Sequence, residues 1–158
     1  MSASPGYDHT QHAPLGWILY GVAALDFAVV VWAIGTPTGY YVAGPISVVL
    51  AVLASGFQHL HVTDLGDRLQ VAFGPTPIFR RTLSYDDITA VAVDRSTLLE
   101  GWGIHASHRG GWIWNLWGRD CVHVTTRKSQ MRIGTDDAEG LAGYLQSIMT
   151  ERKTPTSV

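Results

Sequence analysis

Two long apolar runs open the chain, and an alternating pattern replaces them from Phe57 onward. Residues 15–34 read LGWILYGVAALDFAVVVWAI, with Asp26 as the sole charge. A helix of that length, rising about 1.5 Å per residue, reaches about 30 Å, the hydrocarbon thickness of a bilayer. The turn residues Gly35, Thr36, Pro37, Thr38 and Gly39 follow. The second run, residues 40–60, reads YYVAGPISVVLAVLASGFQHL and has no Asp, Glu, Lys or Arg. Neither run shows the polar stripe of a helix lying on a soluble core. Trp17, Tyr20, Trp32, Tyr40 and Tyr41 lie near the run ends, where amphipathic rings favour a membrane interface. The pattern predicts a transmembrane hairpin over residues 15–60, with spans 15–34 and 40–60, behind a flexible tail of residues 1–14. A cleaved signal peptide fits poorly: the start carries no cation, the first run is long, and a second follows at once.

Past the hairpin the period becomes two. FQHLHVTD alternates into a turn at Leu65, Gly66 and Asp67, and RLQVAFG then places Leu69, Val71 and Phe73 on one face. Two such runs around a glycine-containing turn predict a β-hairpin, with the second helix leading almost directly into its first strand. Further strands are predicted over 78–83, 88–94, 111–116, 121–126 and 130–134, the last two joined by Arg127, Lys128 and Ser129. About seven short strands argue for a small sandwich or barrel. A helix then closes the chain. Asp136 followed by Glu139 gives a capping-box-like start, and Asp137 adds negative charge to the first turn. Leu141, Tyr144, Leu145, Ile148 and Met149 recur at helical spacing and predict an apolar stripe against the sandwich. Residues 151–158 read as a frayed tail.

A seven-stranded sandwich closed by an amphipathic helix is similar to the pleckstrin-homology fold. FGPTPIFRRTLSYDDITAV (73–91), GWGIHASHRGGWIWNLWG (101–118) and MRIGTDDAEGL (131–141) resemble the bacterial PH-like domains carried on short membrane anchors. The resemblance covers roughly residues 60–149. It implies an α+β membrane protein: a two-helix transmembrane hairpin, then an antiparallel PH-like domain over 61–150 capped by a C-terminal α-helix. Modules of this kind bind lipids, peptides or partner domains, and the resemblance brings no catalytic residues with it.

Charge sharpens the expected orientation. All eleven Lys and Arg residues stand at or beyond Arg68. The positive-inside bias then predicts an inner-membrane protein with both termini cytoplasmic. From His61 onward eleven cations meet eleven acids, a balance that offers no electrostatic footprint for nucleic acid. Cys121, the single cysteine, cannot form an intramolecular disulfide and fits a reducing compartment, buried in a strand.

Candidate chemistry is sparse. Asp26 is unusual within an apolar run; it reads as a neutral carboxyl hydrogen-bonded inside the hairpin, a contact with a partner helix, or a proton or ion site. Ser47, Ala51 and Ser55 recur every four residues, and Gly21, Ala24 and Ala28 share one face of the first helix. Such faces pack the hairpin on itself or build a homo-oligomer. Pro45 is tolerated if the second helix begins near it. Trp102, Trp112, Trp114 and Trp117, with His105, His108 and Arg109, form the densest signal, either a binding surface or partly core. Arg80 and Arg81 read as lipid-facing cations or as an ordinary strand edge. His59 and His61 share a strand face, but no carboxylate or Cys completes a metal-ligand set. Asp86 with Asp87 and Asp136 with Asp137 suit turns and helix starts better than catalysis. Ser84, Ser96 and Ser107 lack a nucleophile motif. The expectation is therefore a non-catalytic, cofactor-free module that binds membrane lipid headgroups or a protein partner. The alternative is an accessory subunit of a larger membrane enzyme or transporter, docked through the hairpin.

Overall fold

The computed structural model describes residues 6–33, 37–75, 79–97 and 100–153. In chain order the elements are β1 (Asp8–His12), α1 (Leu15–Ala33), α2 (Pro37–Gly56), β2 (His59–Asp64), β3 (Arg68–Phe73) and β4 (Phe79–Ser84). A 3-10 turn (Tyr85–Asp87) leads to β5 (Ile88–Arg95), β6 (Gly103–Ala106), β7 (Trp112–Asn115), β8 (Asp120–Thr126), β9 (Gln130–Gly134) and α3 (Ala138–Lys153). One sheet has the order β1-β2-β3-β4, the other β5-β8-β9-β7-β6.

Alternation explains the core. Leu60 and Val62 from β2, and Leu69, Val71 and Phe73 from β3, turn to the same side and are buried. They share one cluster with Trp114, Val122, Val124, Met131 and Ile133 of the second sheet. Leu141 and Leu145 of α3 complete it, as the helical spacing predicts. Asp137 caps α3: its carbonyl accepts from Leu141 N–H (3.1 Å) and its carboxylate from Gly140 N–H (3.2 Å). Asp136, expected at the cap, bonds His9 instead (2.6 Å).

The helical hairpin is present as two packed helices, and its expected role is corrected. Among the described residues no helix is long and apolar enough to cross a membrane. The physical reason shows within the runs and at the end of the second. α1, described over Leu15–Ala33, contains Asp26, and α2 contains Pro45 and ends at Gly56. The last residues counted into the second span leave the helix: Phe57 packs edge-on against Phe73 and Leu60 joins the sandwich core. The transmembrane hairpin, the multi-pass inner-membrane placement and the orientation drawn from the cations fall together.

Other expectations change as well. Part of the tail predicted as flexible is β1, paired antiparallel with β2 from Asp8↔Thr63 to His12↔His59. Pro45 sits inside α2, which begins at Pro37. Ser47 faces α1, but Gly21, Ala24 and Ala28 are exposed, and a Cβ on Gly21 would meet nothing within 4 Å. The helices approach through Gly16 and the buried Ala23 and Ala54 instead; a Cβ on Gly16 would press on the Ala54 carbonyl and Gln58. Nine strands are described, against about seven expected, and β7 runs parallel to β9, so the sandwich is not wholly antiparallel. Gly35 and Thr36 of the expected turn, Ile78 of the expected 78–83 strand and residues 154–158 lie outside the described residues.

Candidate functional site

The segment that holds four of the six tryptophans helps build one cleft at the end of the second sheet, between the β5–β6 and β7–β8 connections. Its volume is about 400 Å³, and Ser96, Thr97, Gly101, Trp102, Trp117, Gly118 and Arg119 line it. The indoles of Trp102 and Trp117 stack with centroids 4.3 Å apart and planes 23° from parallel. Trp102 is 49% exposed, and its Nε1–H donates to the Gly118 carbonyl (3.2 Å). Trp102 is thus open to solvent yet fixed in place, and Trp117 beneath it packs against the core.

Three local devices shape the cleft. Asn115, fully buried on β7, donates from Nδ2 to the carbonyls of Gly118 (3.1 Å) and Gly101 (3.4 Å), clipping two loops together. Those glycines have φ of +78° and +55°, in the left-handed region where a side chain is strained. A Cβ on either would meet nothing within 4 Å, so both glycines border open space. Ser96 then ties the rim: its N–H (2.7 Å) and Oγ–H (3.2 Å) both donate to the Arg119 carbonyl. In return Arg119 Nε donates to the Ser96 carbonyl (3.1 Å). From the far sheet, buried Gln11 of β1 donates to the Trp117 carbonyl (3.1 Å).

Behind the cleft lies a polar network that the segment's charge had suggested as a binding surface. Buried Glu100 receives Arg109 from Nε (3.1 Å) and Nη2 (2.8 Å), Ser107 Oγ (2.5 Å) and the Thr97 N–H (2.8 Å). The hydrogen bonds from Arg109, aided by Ser107 and Thr97, hold the Glu100 carboxyl well below the usual carboxylate range, against the opposing effect of burial. Buried Arg132 donates to Asp94 (2.9 Å), Gly110 O (3.0 Å) and Ser107 Oγ (3.3 Å). Burial opposes ionisation of Asp94, but Arg132 and Arg109 outweigh it and lower its pKa. Arg109 is thus engaged inside the fold. This network ties Thr97, Glu100, Ser107, Arg109 and Gly110 to Asp94 of β5 and Arg132 of β9.

The remaining residues named from the sequence scatter. Trp112 is 45% exposed on β7 and does not line the cleft. Trp114 is buried and packs on Phe73 at 5.8 Å, a core residue. His105 sits on β6, its buried Nε2 without a partner among the described residues. Arg80 and Arg81 lie on β4 at the edge of the other sheet, where Arg81 reaches Ser129 Oγ (3.4 Å). Asp26 accepts a hydrogen bond from Ser47 (2.9 Å) within the helix pair. Burial pushes the Cys121 thiol up to about 11, which removes its thiolate near neutral pH. Burial and the carboxylates of Asp137 and Asp64 raise the phenols of Tyr7 and Tyr85 far above their ordinary value. Those phenols serve as hydrogen-bond donors to Asp137 (3.1 Å) and Asp64 (2.7 Å). Among the described residues no group of three His, Cys, Asp or Glu side chains could hold a metal ion.

Sequence reading found the two tryptophans and missed Ser96, Asn115, Gly101, Gly118 and Arg119. A signal was present: Gly101-Trp102 and Trp117-Gly118 bracket the segment as mirror images. No family model matches the chain, and no curated protein matches it either.

Proposed function

We propose that the chain is a non-catalytic binding module that grips an apolar segment of a partner protein in the Trp102–Trp117 cleft. One observation carries the proposal: the half-exposed Trp102 indole, fixed by its hydrogen bond to Gly118, stacks on a Trp117 ring packed against the core, in a cleft of about 400 Å³. A tryptophan that is rigid before binding offers large contact area with little ordering cost, and such residues dominate binding energy at interfaces. Among the described residues the lining holds one ionisable side chain, Arg119; its Thr97 hydroxyl meets the Glu100 carboxylate, which Arg109 makes a poor base, so the cleft is equipped to hold rather than to react. The resemblance to PH-like modules points the same way.

The test is affinity selection of a randomised peptide library on the full chain and on Trp102→Ala/Trp117→Ala. Wild type should enrich a motif with a large apolar residue, and the folded double variant should lose it. Identical enrichment on both proteins would remove the cleft from the function.

A second reading, an accessory subunit docked through the helix pair, is favoured by another observation. Trp32 (88% exposed) and Trp17 (74%) head a set of bare apolar side chains along α1 and α2 that includes Leu25 and Val48. Contiguous apolar surface of this kind marks a contact site. Its test is the size of the complex isolated with the chain, before and after polar substitution of Leu25 and Val48.

A further inference from the structure

We infer that the cleft takes a ligand with an apolar body ending in one carboxylate, and that Arg119 receives that carboxylate. The inference rests on the binding reading above and narrows its ligand chemistry.

The polar groups of the lining decide the class. The Gly101 and Gly118 carbonyls accept from Asn115, and Gly118 also from Trp102. Ser96 and Thr97 direct their hydroxyls to the Arg119 carbonyl and to Glu100. Each of these groups already has a partner inside the fold. Among the described lining residues, the Trp117 indole N–H and the Arg119 guanidinium remain for a ligand, and only Arg119 carries charge. Its Nε is anchored on the Ser96 carbonyl (3.1 Å), and among the described residues it has no acidic partner. Arg68, Arg95, Arg109, Arg132 and Arg152 sit in ion pairs with Asp or Glu, while Arg80, Arg81 and Arg127 share with Arg119 the lack of an acidic partner among the described residues but do not line the cleft. Neighbouring Asp120, the nearest acid in sequence, is taken by Arg95 (2.8 Å).

A guanidinium fixed at Nε keeps its two terminal nitrogens for an incoming group, and their planar fork matches the two oxygens of a carboxylate. One cation in the lining suits a monoanion; a phosphate dianion calls for more positive charge than Arg119 alone supplies. The stacked indoles then receive the apolar body, and about 400 Å³ admits one aromatic or short acyl group with its linker. Two sources present this chemistry: the C-terminal residue of a protein chain, or a free carboxylic acid.

The experiment uses the full chain and three probes: a peptide pool with four randomised C-terminal positions and a free carboxylate, the same pool as C-terminal amides, and the simple acids 3-phenylpropanoate and octanoate. Indole fluorescence and calorimetry report binding. The acid pool should bind about tenfold or more tighter than the amide pool. Arg119→Gln should bring the acid pool down to the affinity of the amide pool on the same variant, and Arg119→Lys should restore part of the preference. Binding of the acid pool alone assigns a protein C-terminus; binding of the simple acids alone assigns a free acid. Equal binding of acids and amides, lost in Trp102→Ala/Trp117→Ala, would overturn the carboxylate inference and leave the binding reading standing. An acid preference that survives Arg119→Gln would overturn the role of Arg119. No Trp-dependent binding of any probe to the folded chain would overturn both.

Discussion

Asn115 holds Gly101 and Gly118 through one amide group, and its carbonyl oxygen faces Gly134 across the parallel β7–β9 pair. A Cβ on Gly134 would overlap the Asn115 side chain. Gly134→Ala should therefore cost about 1–3 kcal/mol, read as a lower urea midpoint with an unchanged slope. The same substitution should weaken the near-ultraviolet circular dichroism of the stacked Trp102–Trp117 pair, because the clip that seats Gly118 is displaced. Helix capping gives a second contrast. Asp137→Ala should lose about 1 kcal/mol, while Asp136→Ala, on an exposed acid, should stay within about 0.5 kcal/mol in the same unfolding experiment. The sequence put the cap one residue early because Glu139 gives Asp136, and not Asp137, the capping-box spacing; in the fold Asp136 is instead engaged by His9, which arrives from the other end of the chain. Glu100 supplies a pH signature. Its carboxyl, like that of Asp94, titrates lower in the folded chain than in the unfolded one. The stability it gives is present above the unfolded value, about 4.3, and is lost as pH falls through the folded value. Acid titration of unfolding should show a steeper loss for wild type than for Glu100→Gln. At neutral pH that variant should be less stable by about 3 kcal/mol, since Arg109 loses its anionic partner.

At the scale of elements, β1 carries the sharpest difference between pattern and structure. DHTQH has no apolar residue, so nothing in its composition marks a strand. It forms because β2 presents an open edge and because Tyr7, His9 and Gln11 find partners just before α3 and at the cleft. Amide hydrogen exchange tests the assignment: peptides covering residues 8–12 should be protected, with exchange slowed well beyond that of an unstructured tail. Where pairing is local, period alone sufficed. The β2–β3 and β8–β9 hairpins stand within a residue or two of where alternation put them, since a short turn fixes register. β6 escaped notice because GIHA is too short to show a period. The parallel partnership of β7 with β9 was out of reach for a different reason: no neighbouring turn dictates it, and only the assembled sheet does. The cleft inherits this division. Its tryptophans stand out in any reading of the chain, whereas Asn115 and Arg119 acquire their roles only once β7 and the loops beside it are in place.

For the whole molecule, the two apolar runs were legible as helices, and their ends were not. The run 40–60 looked continuous because Phe57 and Leu60 are as apolar as the helix before them; the sandwich core claims both. What remains on α1 and α2 is apolar surface facing outward, with Asp26 turned to Ser47. Chains at tens of micromolar should sediment above the mass of one chain. Replacing Leu25 and Val48 with Gln should return the monomer without changing the melting of the sandwich, because neither side chain belongs to the core. One connection in this architecture has a mechanical meaning. The chain enters α1 from His12 and leaves α2 toward His59, and these two residues are the last rung of the β1–β2 ladder. The helix pair is topologically the loop of a β-hairpin. A load applied to its far end is delivered to that rung and peels the strands apart one pair at a time, the weak direction of a sheet. The second rung to open pairs Gln11 with Leu60, and Gln11 is the residue that holds the Trp117 carbonyl. Tension on the helices would therefore reach the tryptophan cleft after two broken rungs, long before the sandwich itself gives way.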